Sequence, residues 1–266
     1  MIDRDEIQNN PAKHDFDLDM VGVSDVSYPI TVMDKENKWQ DTIAEVTMAV
    51  FLPYQYRGTH MSRFIEILNK HRGKIMMTTV KDILEEMKSV FQAKSTHIKL
   101  SFPYFLTKRA PISGDESIMK YDTSFIANLN ENLDFVLEIK VPVLILCPCS
   151  KEIADRGAHN QRAIVTVQIR MRRLIWVEDI IETVEKCASS PVFSLLKRSD
   201  EKYITEHAYD NPRFVEDIVR EVASNFDKDE RIVYFSVSCE SYESIHNHNA
   251  FAFIEIDKRK NSSKNL

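Results

Sequence analysis

Three short clusters in this 266-residue chain carry side chains able to hold a metal or move a proton. They are Cys147-Pro148-Cys149-Ser150-Lys151-Glu152, then Gly157-Ala158-His159-Asn160-Gln161-Arg162, and near the C-terminus Glu243-Ser244-Ile245-His246-Asn247-His248-Asn249. Thiolates and imidazoles hold zinc-like ions at neutral pH. A nearby carboxylate can complete the ligand set or take a proton from metal-activated water. The pattern reads first as that of an enzyme.

Each cluster also has a plainer reading. Val141–Leu146 is apolar enough for a buried strand, and Cys147 and Cys149 follow where it ends. They read as thiols exposed at a strand terminus, or else as two packed structural thiols; the charged Lys151 and Glu152 favour the first. His159 sits in a polar loop, close enough in sequence to fold back on the cysteine turn as a ligand, or else simply solvated. His246 and His248 are two apart and in an extended segment share a face, with Glu243 just before them. That trio suits proton transfer, and a polar hairpin loop is the alternative. Glu201, Glu206, His207 and Glu216 lie in or just before the last long helix, where acids also complement the helix dipole. Glu216 falls off the apolar stripe of that helix and is free to point elsewhere. Arg57-Gly58-Thr59-His60-Met61-Ser62-Arg63-Phe64 opens a helix with cationic residues, which makes an anion seat or a solvated surface.

Composition bounds these readings. The chain is 43% hydrophobic and 29% charged, enough for a sizeable core in one large domain or two modules. A net charge of -6 argues against a general affinity for nucleic acid or an anionic membrane, so any phosphate contact must be local. The N-terminus has no basic-then-apolar leader, and the longest aliphatic run, Val141 to Cys147, is too short to span a bilayer. A cytoplasmic protein is expected. In a reducing compartment a Cys-x-Cys pair fits metal or catalysis better than a disulfide, while Cys187 and Cys239 lie in apolar periodic segments and read as core. With five glycines and no glycine-rich phosphate loop, no G-x-S-x-G elbow and no H-E-x-x-H helix, the phosphate-loop, serine-hydrolase and zincin classes lose their support.

The elements that must position these residues follow from hydrophobic period. Alternation predicts strands at Tyr28–Val32, Trp39–Leu52, Thr96–Leu106, Met119–Asn128, Leu133–Leu146, Ala163–Arg172, Arg231–Cys239 and Ala250–Ile256. Helical spacing appears around Met61–Leu68, Val80–Phe91, Val177–Val184 and Phe214–Val222. Thr79 and the Asn211-Pro212 pair read as helix starts. The order strand, strand, helix, helix, strand, strand then occurs twice, which predicts an α+β fold of two tandem ββααββ modules with antiparallel sheets and helices on one face. Expected bounds are a flexible segment 1–20, modules 21–132 and 133–256, and a flexible tail 257–266.

Together the strings RGTHMSRF, CPCSKEI, GAHNQR, YDNPRFVED and ESIHNHNAFA, in this order, resemble the prokaryotic type IB GTP cyclohydrolase I family of the tunnelling-fold superfamily, over nearly the whole chain. The resemblance implies a bimodular tunnelling fold and a homotetramer with active sites at subunit interfaces. It implies conversion of GTP and water to 7,8-dihydroneopterin triphosphate and formate, the first step toward tetrahydrofolate and, in many bacteria, queuosine. It also implies a divalent metal, Zn2+ or Mn2+ or Fe2+, with Cys147, His159 and Glu201 matching the ligand positions. Glu216 matches the carboxylate that anchors guanine, and Glu243, His246 and His248 match the segment that handles protons beside Cys147. Among Arg57, His60, Arg63, Lys151, Arg156 and Arg162, some are expected to hold the triphosphate. Two competing readings are another tunnelling-fold purine or pterin enzyme, and a non-enzymatic oligomeric protein with a structural zinc site.

Overall fold

The computed structural model describes residues 7–261. Its strands in chain order are β1 (Leu18–Asp34), β2 (Lys38–Leu52), β3 (Gly73–Lys74), β4 (Thr96–Arg109), β5 (Glu116–Leu129), β6 (Leu133–Leu146), β7 (Asn160–Met171), β8 (Ser190–Pro191), β9 (Ile232–Ser241) and β10 (Ala250–Asp257). The helices are α1 (Met61–Lys70), α2 (Met77–Phe91), α3 (Pro148–Ile153), α4 (Val177–Cys187), α5 (Arg198–Asp210), α6 (Val215–Lys228) and α7 (Lys258–Asn261). This is the expected α+β architecture of antiparallel sheet with helices gathered on one face. The chain divides into two compact units, one containing residues up to Pro103 with Ser124–Val136, the other Tyr104–Thr123 with residues from Leu137 onward.

In the first unit β2 pairs antiparallel with both β1 and β4, and β3 adds a short parallel pairing to β1. Apolar residues recur every three or four positions in α1 and α2, so each helix buries one stripe: Phe64, Ile67 and Leu68 from α1, and Val80, Ile83, Leu84 and Met87 from α2. The rings of Phe64 and Phe91 stack at 4.4 Å, joining the two helices. Gly22 lies against the β2 backbone, where an added Cβ would come within 1.8 Å of the Met48 carbonyl oxygen.

In the second unit the order is β10-β9-β7-β6, all antiparallel, with β8 also bonded to β6. Alternation along β6 and β7 sends Ile139, Val141, Val143 and Ile145, with Ala163, Val165, Val167 and Ile169, into the core. The stripes of α4 (Ile180, Ile181, Val184) and α6 (Ile218, Val219, Val222, Phe226) are buried with them. The lysine at position 258 donates to the carbonyls of Phe226, Asp227 and Asp229 and so caps the end of α6.

Several local expectations need correction. The helix expected from Val80 starts at Met77, so Thr79 lies inside its first turn and is not its cap. Asn211 closes α5 instead of opening α6, its amide donating to the carbonyls of Ala188 and Ser189. The α6 start is made by Asp217, whose carboxylate accepts the Phe214 N–H. The helix α5 had no predicted counterpart, because it buries only Asp200 and Ala208 and shows almost no apolar stripe. Glu201, Glu206 and His207 therefore belong to α5, apart from the helix carrying Glu216. Where a loose N-terminal segment was expected, Ala12 donates to the Tyr54 carbonyl, Arg57 to that of Asn10 and Gly58 to that of Gln8, and β1 already begins at Leu18. Residues 1–6 of that segment and 262–266 of the expected tail lie outside the described residues. No helix among the described residues is long and apolar enough to cross a membrane.

Candidate metal and proton-transfer site

The site is built at one end of β6 and β7. Their antiparallel register pairs Leu146 with Asn160, so Cys147 and His159 sit side by side just past the last pair, and the Cys147 N–H donates to the His159 carbonyl at 3.1 Å. Between them the chain makes the short α3. Proline at position 148 suits the first helical position, where no N–H is needed, and the Cys147 sulfur accepts the Ser150 N–H at 3.4 Å as the cap of that helix. Gly157, at φ +69°, takes the left-handed conformation that turns the chain back into β7 without the strain a side chain would add. Ser150 then uses its hydroxyl to accept the His159 N–H at 3.3 Å. The cysteine turn is thus a fixed corner in which Cys147 is half-buried and Cys149 exposed.

The β9–β10 connection brings in the third cluster. The carboxylate of Glu243 accepts the Ser241 hydroxyl at 2.7 Å and the Gln161 amide at 3.1 Å. The Gln161 amide oxygen lies 3.0 Å from His159 Nδ1 and accepts the Ser244 hydroxyl at 3.2 Å. The rings of His246 and His248 stack at 5.2 Å, and that of His246 is 6.5 Å from His159, edge to face. The connection bends through this stretch and is exposed, so the two histidines meet by stacking and not by strand alternation.

The remaining candidates take different places. Glu216 is exposed in the first turn of α6, and its charge reaches the Cys239 thiol, which burial first and then Glu216 push up to about 12. Burial and the Glu221 charge likewise push Cys187 up to about 11, so both thiols stay protonated core groups, as their apolar surroundings predicted. Glu201 is exposed in the first turn of α5, whose start is pinned by its neighbour Asp200. The fully buried Asp200 carboxylate accepts the N–H groups of Ile112 and Ser113 at 2.8 Å and of Lys197 at 2.9 Å. Burial alone would raise the Asp200 pKa, but these amides hold it well below the usual carboxylate range.

Among the described residues no three His, Cys, Asp or Glu side chains gather in a metal-holding arrangement, so Cys147, His159 and Glu201 are not a preformed triad in the single chain. The donor pair still fits a borderline divalent ion. A sulfur and an imidazole project from adjacent strand ends, and one imidazole nitrogen is already engaged by Gln161, which leaves the other for a ligand.

A cavity of about 580 Å³ opens on the sheet beside Leu144 and Arg162, a register pair of β6 and β7, and its wall includes Lys120, Pro191 and Phe193. The wall is held by Lys108, whose ammonium donates to Glu185 and to the Val192 carbonyl, both at 2.8 Å, and lies 4.2 Å from the Phe193 ring centre. Of the expected cations, Arg162 lines this cavity, whereas Lys151 donates to the Tyr209 carbonyl and lies over the Tyr209 ring. In the first unit His60 and Arg63 line a cavity of about 340 Å³ with Tyr56 and Phe91.

Comparison with known proteins settles the family. The model of the type I GTP cyclohydrolase folE2 family matches residues 5–252. This chain belongs to that family. GTP cyclohydrolase FolE2 of Pelobacter propionicus is 54% identical over 96% of this chain and 99% of the relative, and that of Geobacter sulfurreducens is 52% identical over 96% and 99%. The solved uricase of Arthrobacter globiformis (TM-score 0.53, 10% identity, 90% of this chain and 93% of that one) and urate oxidase of Bacillus subtilis 168 (0.53, 8%, 90% and 99%) share the tunnelling fold. The chain is therefore an enzyme, a hydrolase of the GTP cyclohydrolase family, and the reading as a non-enzymatic structural-zinc protein is set aside.

Sequence reasoning did not single out Gln161, Ser150, Ser241, Ser244 or Asp200. One signal was legible for Gln161: it is polar at the head of the otherwise apolar row Ala163, Val165, Val167, Ile169.

Proposed function

We propose that this enzyme is a prokaryotic type IB GTP cyclohydrolase I, which opens the imidazole ring of the guanine of GTP by hydrolysis and yields formate and 7,8-dihydroneopterin triphosphate, for tetrahydrofolate and queuosine synthesis. The observation that carries the reading is the meeting of Cys147 and His159 at adjacent strand ends, with Glu243 and the stacked His246 and His248 beside them. Cys147, His159 and Glu201 would hold a divalent ion, Zn2+, Mn2+ or Fe2+. When bound, that ion supplies a water acidic enough to act as a nucleophile near neutral pH. We assign the complete site to a homotetramer with active sites at subunit interfaces, as the family resemblance implies.

The side chains divide the remaining work. Glu216 accepts hydrogen bonds from the ring N–H and amino group of guanine, which adenine cannot offer. The imidazoles of His246 and His248 donate a proton to the guanine ring nitrogen as its bond to carbon breaks, and move protons again as formate leaves and the sugar rearranges. Glu243 holds and returns those protons. The phosphates are matched by Arg162 at its cavity and by Arg57, His60, Arg63 or Arg156; unchanged GTP binding after substitution of two of the arginines removes those two from that role.

The test is turnover of GTP by protein reconstituted with Zn2+ or Mn2+. Formate and a fluorescent pterin after oxidation are expected, and both should disappear in Cys147→Ala. Absence of formate with either metal would overturn the assignment in favour of another purine or pterin chemistry on the same fold.

A further inference from the structure

The row of β7 that faces the core runs Gln161, Ala163, Val165, Val167, Ile169, and none of the five is more than 9% exposed. An amide in such a row costs stability unless its hydrogen-bonding capacity is filled. A glutamine amide has two N–H donors and an oxygen with two lone pairs, and all four positions are used here. Its nitrogen donates to Ser241 Oγ and Glu243 Oε1, both at 3.1 Å, and its oxygen faces His159 Nδ1 at 3.0 Å and the Ser244 hydroxyl at 3.2 Å.

The orientation of this amide is dictated by its neighbours. Glu243 Oε1 already accepts the Ser241 hydroxyl and faces the amide as an acceptor, so the nitrogen must face it; the reverse orientation would set two acceptor oxygens 3.1 Å apart. Ser241 gives its own proton to Glu243 at 2.7 Å and so receives from Gln161. The amide oxygen is then left to accept, and the imidazole nitrogen opposite it must carry a proton. His159 is held as the Nδ1–H tautomer with the lone pair on Nε2.

We propose that Gln161 is the positioning residue of this site: it fixes the tautomer and ring plane through which His159 binds metal, and holds Glu243 at a set distance from that ligand. The proposal rests on the reading of His159 as a metal ligand. Ligating imidazoles commonly donate their second N–H to a carboxylate or carbonyl, and loss of that partner weakens metal binding by about 10- to 100-fold. Here the acceptor is a side-chain amide, and its other end reaches the proton-handling segment. One residue thereby joins the ligand just before β7 to the β9–β10 connection.

The experiment measures Zn2+ affinity of the full-length protein by competition with a chelating dye, together with the His159 tautomer by 15N chemical shift and kcat and KM for GTP. Gln161→Leu should weaken Zn2+ binding about 10- to 100-fold and release the His159 tautomer preference. Gln161→Glu keeps an acceptor for His159 but sets a second carboxylate against Glu243. It should hold Zn2+ within about threefold of wild type while kcat falls about tenfold or more at little-changed KM. Affinity of folded Gln161→Leu within threefold of wild type overturns the proposal, as does equal loss of affinity in both variants. If Gln161→Leu does not fold, Gln161→Glu alone decides by its split between metal affinity and kcat. Wild-type protein that binds no Zn2+ and turns over no GTP would show instead that the metal-site reading has failed, and the proposal with it.

Discussion

Removing the Glu185 carboxylate tests how the cavity beside Arg162 is kept in shape. Glu185 accepts from the Lys108 ammonium at 2.8 Å and from the Tyr121 hydroxyl at 2.9 Å, and the Lys108 and Glu185 side chains are 14% and 12% exposed. Burial lowers the Lys108 pKa, opposed by the Glu185 charge, and raises that of Tyr121, which therefore remains a donor. In Glu185→Leu the ammonium keeps the Val192 carbonyl and the Phe193 ring. Breaking a buried ion pair from one side costs about 3–5 kcal/mol, and the partners Lys108 retains place this case near 3 kcal/mol. For a chain of this size that is a fall in Tm of roughly 6 °C or more. Urea unfolding at fixed protein concentration, so that any subunit association cancels, gives the same quantity. The double variant Lys108→Met with Glu185→Leu should recover most of the loss, because an apolar pair leaves no charge uncompensated. Glu185→Leu within about 1 kcal/mol of wild type, or a double variant no more stable than Glu185→Leu alone, would refute the account. Since the same lysine holds Val192 and Phe193, KM for GTP should rise in Glu185→Leu more than kcat falls.

Three further outcomes are expected. Cys147→Ala should lose GTP turnover and weaken Zn2+ binding while its far-UV circular dichroism and cooperative unfolding persist, since Cys147 is half-buried at a corner and not in the core. Asp200→Asn should be less stable at neutral pH. The native carboxyl is held below its unfolded value, so its contribution is full above about pH 4 and is lost as pH falls below that. Plotted against pH, the unfolding midpoint should drop less steeply below about pH 4 in the variant than in wild type. Gly22→Ala should destabilise the β1–β2 pairing by about 3 kcal/mol, read by urea denaturation, because the new Cβ would meet the Met48 carbonyl and the Ala49 Cα within 2.6 Å and only backbone can move aside.

Strands and helices that bury one side were legible before the structure. In Leu133–Leu146 and Val177–Val184 the apolar period is the physical cause of burial, and periodicity survives in any arrangement of the chain. Helix α5 was not legible, because its placement comes from the buried carboxylate of Asp200 gripping two amides in a distant hairpin and not from an apolar stripe. The helix start misplaced at Asn211 has a similar origin. A capping side chain in the sequence can equally well be spent on tertiary partners, as the Asn211 amide is on Ala188 and Ser189.

The same division runs through the site. The chain alone determined the chemistry on offer, since a Cys-x-Cys turn, a loop histidine and a Glu-x-x-His-x-His run are properties of residue type and spacing, as are the strings shared with the GTP cyclohydrolase family. Tertiary structure alone decided which groups meet. It took the β6–β7 register to set Cys147 beside His159, and the return of β9 to carry Glu243 within reach of Gln161. The second meeting joins residues 82 positions apart, and no local pattern encodes a hydrogen bond whose partners are brought together only when two strands align.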